Sequence, residues 1–146
     1  MNIKFKLNKN FKKDDTFKKF ENVLFKSMLK MHELAVINCP VDTGRLKNSI
    51  NLNPMITGSK KYTLFDGVEY GVDLEYGTSP HYVSPKNLAE WSSRKLKDKN
   101  LAFAVSNKIM KRGTEAQPFF RPALDEVKNI WVTRYMNEIL KKGNKI

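Results

Sequence analysis

The sequence predicts an α+β fold: an antiparallel β-sheet of about four strands, a long N-terminal helix and a C-terminal helix packed on one face, plus a helical insert. Three observations lead there. Ile3, Phe5 and Leu7 alternate with Lys4 and Lys6, the pattern of a strand with one buried face. Phe17, Phe20, Leu24, Met28, Met31 and Ala35 recur at helical spacing and form one stripe. Runs at 62–65 and 68–75 flank Asp66 and Gly67, a pair suited to a tight hairpin turn.

After the first strand, Asp14, Asp15 and Thr16 offer N-cap oxygens to a helix over 16–38. At 1.5 Å per residue it spans roughly 34 Å, so it must lie along the sheet. Pro40 ends it, because a proline has no N–H and pushes the preceding residue toward an extended conformation. Asp42, Thr43 and Gly44 then form a tight turn: Asp and Thr oxygens bond nearby amides, and Gly tolerates positive φ. Arg45 is expected to brace it through a carboxylate. Residues 46–55 read as a strand with Leu46, Ile50 and Leu52 as apolar markers, and Gly58 and Ser59 make the next loop.

Beyond the meander, Pro80 and Pro85 flank an irregular stretch. Leu88, Ala89, Trp91 and Leu96 suggest a short helix, with a second over 101–110, and Gly113 and Thr114 end this insert. Residues 118–122 read as an extended link. Ala123, Val127, Ile130, Trp131 and either Tyr135 or Met136 then mark a last helix ending near Leu140. The reading is one domain over 1–146 with a basic helical insert at about 85–112.

The 146 residues are 40% hydrophobic and include nine Phe, five Tyr and two Trp, enough for an independent core. Cys39 is the single cysteine, which excludes an internal disulfide and fits a reducing compartment. No apolar run approaches the roughly 20 residues needed to cross a bilayer, and residues 1–13 have no secretory h-region, so no membrane partner is expected. The formal charge is +12, from 27 basic and 15 acidic residues. The excess lies in three stretches: 1–13 with five Lys, 94–112 with seven basic residues and one acid, and 141–146 with three Lys. Such stretches suit either a solubilising surface or sequence-independent contact with a polyanion.

Candidate chemistry is sparse. Asp42-Thr43-Gly44 is the tripeptide that carries the aspartic-protease carboxylate, but one copy would require a homodimer. Cys39, Pro40 and Val41 precede it where that family has large apolar residues, and no later apolar pair is followed by Gly. His32 and Cys39 share a helix face without a third ligand or an orienting group, so neither a metal site nor a nucleophile pair follows. Cys39 reads as a small apolar filler and His81 as a loop residue. With no phosphate-cradling loop, no catalytic residue, metal or cofactor is expected.

What remains are local signatures that look architectural. Cys39 precedes Pro40, Val41, Asp42, Thr43, Gly44, Arg45 and Leu46, with Ser49 just after. Tyr70 and Gly71 lead to Glu75, Tyr76, Gly77 and Thr78. Pro118, Phe119, Phe120, Arg121, Pro122 and Ala123 precede the last helix. In this order they resemble the tail-completion or head-tail joining family of long-tailed phages, small neck proteins also described as minor tail components. The resemblance spans about 17–140, apart from the basic N-terminus and the charged insert. It implies a non-enzymatic, ring-forming virion component, commonly six-fold, assembled in the host cytoplasm. The partners it implies are further copies of itself, a head connector or stopper protein, a tail terminator or tail tube protein, and transiently the packaged DNA. Pro118, Phe119, Phe120, Arg121 and Pro122 are the expected interface, the alternative for the two rings being this domain's own core. A basic, sequence-independent nucleic-acid-binding module is the competing function.

Overall fold

The first helix, α1 (Asp15–Asn38), organises the molecule, whose computed structural model describes residues 2–6, 15–54 and 61–143. Met28, Met31, Leu34 and Ala35 on its inner face are buried, Leu24 is half-buried, and Cys39 just beyond its end is buried too. At 1.5 Å per residue it is about 36 Å long. It packs against the sheet on one part of its surface and against the C-terminal helices on another.

The sheet has three short strands, β1 (Asn2–Lys6), β2 (Asn51–Pro54) and β3 (Lys61–Phe65), all antiparallel in the order β1-β3-β2. Ile3 of β1 and Leu52 of β2 both stand opposite Leu64 of the central strand, whose side chain is fully buried.

The α+β expectation of about four strands is therefore corrected: among the described residues the chain is mainly helical, with this one small sheet. Two stretches account for the difference. Residues 46–55 divide into a helical turn, α2 (Arg45–Ser49), followed by β2: Leu46 and Ile50 are buried while Asn48 between them is exposed, which a helical turn allows and a strand, turning all three to one face, does not. Residues 68–75, whose Val68, Tyr70, Val72 and Leu74 alternate like a strand, form α3 (Gly71–Tyr76) instead. On that helix Gly71 and Glu75 are buried and Leu74 is half-buried, while Tyr70, Val72 and Tyr76 are exposed. A strand would have placed Glu75 on the face opposite Leu74. Leu7, Met55, Gly58 and Ser59, to which a strand end and a loop were assigned, lie outside the described residues.

The insert is a helical hairpin. Pro85 opens α4 (Pro85–Leu96) at a position where its missing N–H is harmless. Lys97 then takes a left-handed φ of 63°, and Asp98 accepts the Asn100 amide at 2.8 Å to start a short 3-10 turn (Lys99–Leu101). α5 (Ala102–Arg112) returns along α4, burying Ala102 and Ser106.

The C-terminal run begins earlier than the sequence suggests. Residues 118–122 are not an extended link throughout, because α6 (Phe120–Glu126) starts at Phe120 and Pro122 sits in its first turn. The helix widens to π geometry over Val127–Trp131 and continues as α7 (Val132–Gly143). Phe120, Ala123 and Val127 are buried against α1. Trp131 lies under the Lys30 ammonium, 4.5 Å from its ring centre, and its indole N–H donates to Glu126 at 3.0 Å.

Candidate functional site

The three signature segments, far apart in sequence, become two braces. The first is built on Glu75, whose side chain is fully buried at the end of α3. One carboxylate oxygen accepts the backbone amides of Phe119 at 2.7 Å and Phe120 at 2.9 Å. The other accepts the Arg121 amide at 2.9 Å and the Arg121 Nε at 3.1 Å. These amides begin α6, where a helix has no internal acceptor and where its dipole favours a negative charge. In return, Arg121 Nη2 donates to the Glu75 carbonyl at 2.8 Å, and the Gln117 amide donates to the Leu74 carbonyl at 2.7 Å. The orphan acceptors at the end of α3 and the orphan donors at the start of α6 thus satisfy each other. The Arg121 guanidinium also lies over the Tyr76 ring, 4.7 Å from its centre.

Phe119 and Phe120 do not supply the expected interface. Both rings are fully buried in the core of the same chain, with centres 4.6 Å apart. The physical reason is the brace: Glu75 fixes their amides inward, so the rings follow into the core cluster that includes Met28, Met31, Leu46 and Leu64. Full burial of each is worth about 1.5–3 kcal/mol. Pro118, Arg121 and Pro122 remain exposed beside them.

Gly77 and Thr78 extend this brace to the hairpin. Thr78 and Thr114 pair as an isolated antiparallel bridge with amide-to-carbonyl distances of 3.1 and 3.2 Å, and their hydroxyls meet at 2.9 Å. Gly77 (φ 73°) and Gly113 (φ 70°) flank the bridge. A Cβ on Gly77 would stand 2.5 Å from the Thr114 carbonyl, and one on Gly113 would run into the Thr78 carbonyl, so both strands can meet only without side chains there. His81 Nδ1 lies 2.8 Å from the Ser79 carbonyl and 3.3 Å from the Thr78 hydroxyl, which keeps it in this loop.

The second brace is the turn after α1. Gly44 adopts φ 82° and its carbonyl accepts the Asn48 amide at 2.9 Å, which starts α2. Ser49 Oγ donates to the Leu46 carbonyl at 2.8 Å and accepts the Gly67 amide at 3.2 Å, tying α2 to the loop after β3. Asp42 is gripped by Arg94 of α4, not by Arg45: Nε and Nη2 donate to its two oxygens at 3.0 and 2.7 Å. The Lys95 ammonium donates to the Val41 carbonyl beside it. The hydrogen bond from Arg94 holds the Asp42 carboxyl below the usual aspartate range. No local signal pointed to Arg94, which lies 52 residues away in the insert.

Cys39 is buried, and burial pushes its thiol up, away from the thiolate that a nucleophile requires. His32 turns elsewhere, its Nε2 lying 3.1 Å from the Ile50 carbonyl. No group of three or more His, Cys, Asp or Glu residues suited to a metal occurs among the described residues. No helix among them is long and apolar enough to cross a membrane. Between α1 and the π stretch lies an apolar cleft of about 360 Å³, lined in part by Val23, Met28 and Val127.

Lys86, Lys97, Lys99, Lys111 and Arg112 are exposed and make no ion pair among the described residues, whereas Arg94 is held by Asp42 and Lys108 lies 3.4 Å from Glu115. Comparison of the chain with family models, curated proteins and solved structures returns no match.

Proposed function

We propose that this chain is a non-enzymatic structural component of a tailed-phage virion neck, a ring-forming tail-completion or head-tail joining protein. It would connect the head connector to the tail, let DNA pass, and be assembled in the host cytoplasm. The observation that carries the reading is the Glu75 brace. The family-like segments around Glu75 and Phe119 interlock, with the polar groups of Glu75 and Arg121 engaged in holding α3 to α6. The segment around Asp42 likewise anchors the hairpin through Arg94. Residues used in this way support a scaffold role, and a scaffold is what a neck ring needs. The partners in this reading are further copies, six in the simplest case, a head connector or stopper, and a tail terminator or tube protein.

Deleting the gene tests the proposal. The expected outcome is DNA-filled heads and complete tails that do not join, or joined particles that leak, with normal amounts of head and tail proteins. Electron microscopy of the lysate that shows intact infectious particles at wild-type yield would overturn the joining role. Missing tails would move the protein to tail formation.

The hairpin cations that make no ion pair among the described residues favour a second reading, a basic module that holds nucleic acid without regard to sequence. Genes for portal, capsid and major tail proteins beside this one support the neck reading, whereas replication or transcription genes there support the second.

A further inference from the structure

Two exposed surfaces of this chain are complementary to one another. The first is the outer face of α3 and the residues leading into it. Tyr70, Val72 and Tyr76 are 43%, 47% and 53% exposed, which is unusual for side chains of this size grouped within seven residues. Glu69 and Asp73 stand among them, exposed and with no partner among the described residues. The second is the turn end of the hairpin. Leu96, Leu101 and Phe103 are 41%, 40% and 66% exposed there, and Lys97 and Lys99 between them are exposed and unpaired among the described residues. The contacts from Arg94 and Lys95 to Asp42 and Val41 fix this end of the hairpin and set the exposed Val41 beside it. Each surface therefore combines apolar groups with charges unpaired among the described residues: carboxylates at α3, where Arg121 over Tyr76 is already paired with Glu75, and ammoniums on the hairpin turn, where Asp98 is engaged by the Asn100 amide.

The two cannot meet within one chain. The base of the hairpin is bridged to Thr78, just after α3, and the turn lies the length of α4 away, about 18 Å for its 12 residues. We infer that copies of this chain join head to tail, with the Lys97–Phe103 turn of one copy seated on the Tyr70, Val72, Tyr76 face of the next. The inference rests on the ring-forming reading above and names the surfaces that form the ring. A contact between two different patches is heterologous, and repeating it closes a ring when the rotation permits. The signature turn at Asp42 then acts in assembly by holding the hairpin through Arg94.

The test uses full-length protein in a Cys39→Ala background with a short bis-maleimide linker at high protein concentration. Val72→Cys and Phe103→Cys variants are expected to cross-link when mixed and not when either is alone, because only the mixture places one thiol on each side of the contact. Lys97→Glu with Lys99→Glu on the Phe103→Cys copy should abolish that cross-link. Glu69→Lys with Asp73→Lys on the Val72→Cys copy should restore it. Circular dichroism of each variant verifies that it is folded. Equal cross-linking of either variant alone would mean an isologous contact and overturn the inference. No mixed cross-link while wild-type protein forms rings on tails would overturn these surfaces and leave the ring reading standing. No rings on tails at all would defeat both. Loss of DNA retention by the Glu variants with cross-linking unchanged would assign the hairpin turn to nucleic acid instead.

Discussion

Glu75 shows how much one side chain can decide here. It accepts four hydrogen bonds from a fully buried position, three of them from backbone amides at the start of α6. Glu75→Ala would leave those amides and part of Arg121 unpaired, and should cost about 3–5 kcal/mol in urea unfolding. Glu75→Gln should also be poorly tolerated despite its shape, by about 2 kcal/mol or more, because whichever way the amide is turned its NH2 faces two donors. Arg121→Ala should cost less than either, since the Arg121 side chain is 45% exposed and the backbone bonds to Glu75 survive. Equal losses for all three would contradict the division of roles. The sequence marked Glu75, Phe119, Phe120 and Arg121 as notable through the family resemblance, but their mutual pairing was not legible, because 44 residues separate the carboxylate from the first amide it binds.

At the scale of elements, the hairpin is held at both ends, by the Thr78–Thr114 bridge at its base and by Asp42–Arg94 near its turn. Gly113→Ala should destabilise the base strongly. The added methyl would meet the Thr78 backbone, and a residue with a side chain is strained at φ 70°. The loss should exceed 1 kcal/mol and appear first as faster amide exchange in α5. The other anchor depends on pH. The folded Asp42 carboxyl lies below its ordinary range because Arg94 donates to it, so its contribution is present above the ordinary aspartate pKa and is lost as pH falls through the folded value. Hydrogen exchange in α4 should therefore quicken on the acid side of about pH 4. Asp42→Asn should remove that pH response and confer or abolish no peptide cleavage. A pepstatin-sensitive activity lost on that substitution would revive the protease reading. The long first helix and the two helices of the insert were legible from apolar spacing and from prolines. α3 was not, since six residues with alternating apolar groups satisfy a strand pattern as well as a helix held by a buried carboxylate.

For the molecule as a whole, the +12 charge sets long-range behaviour. In the neck reading proposed above, mutual repulsion keeps free copies apart in dilute solution, so the purified protein there should be monomeric or weakly associated and close into a ring only on a preformed connector or tail end. Sedimentation that finds stable rings in dilute solution at ordinary salt would contradict this. The same charge should give weak DNA affinity that ignores sequence. With about five phosphates contacted, the log-log salt slope should lie near −4 to −5. Sequence-specific binding that persists at high salt would promote the nucleic-acid reading.

The sequence by itself determined the features that depend on neighbours along the chain: the span of α1 and its stop before Pro40, the turn at Gly44, the hairpin boundaries at Pro85 and Gly113, and the placement of positive charge. Helical spacing, φ preferences and charge are local properties, so they can be read from a few adjacent residues. Tertiary structure alone decided that 68–75 holds a helix, that Phe119 and Phe120 turn into the core, and that Asp42 is held by Arg94 and not by its neighbour Arg45. In each of these a buried or paired polar group selects among local conformations of similar energy, and its partner lies 44 or more residues away.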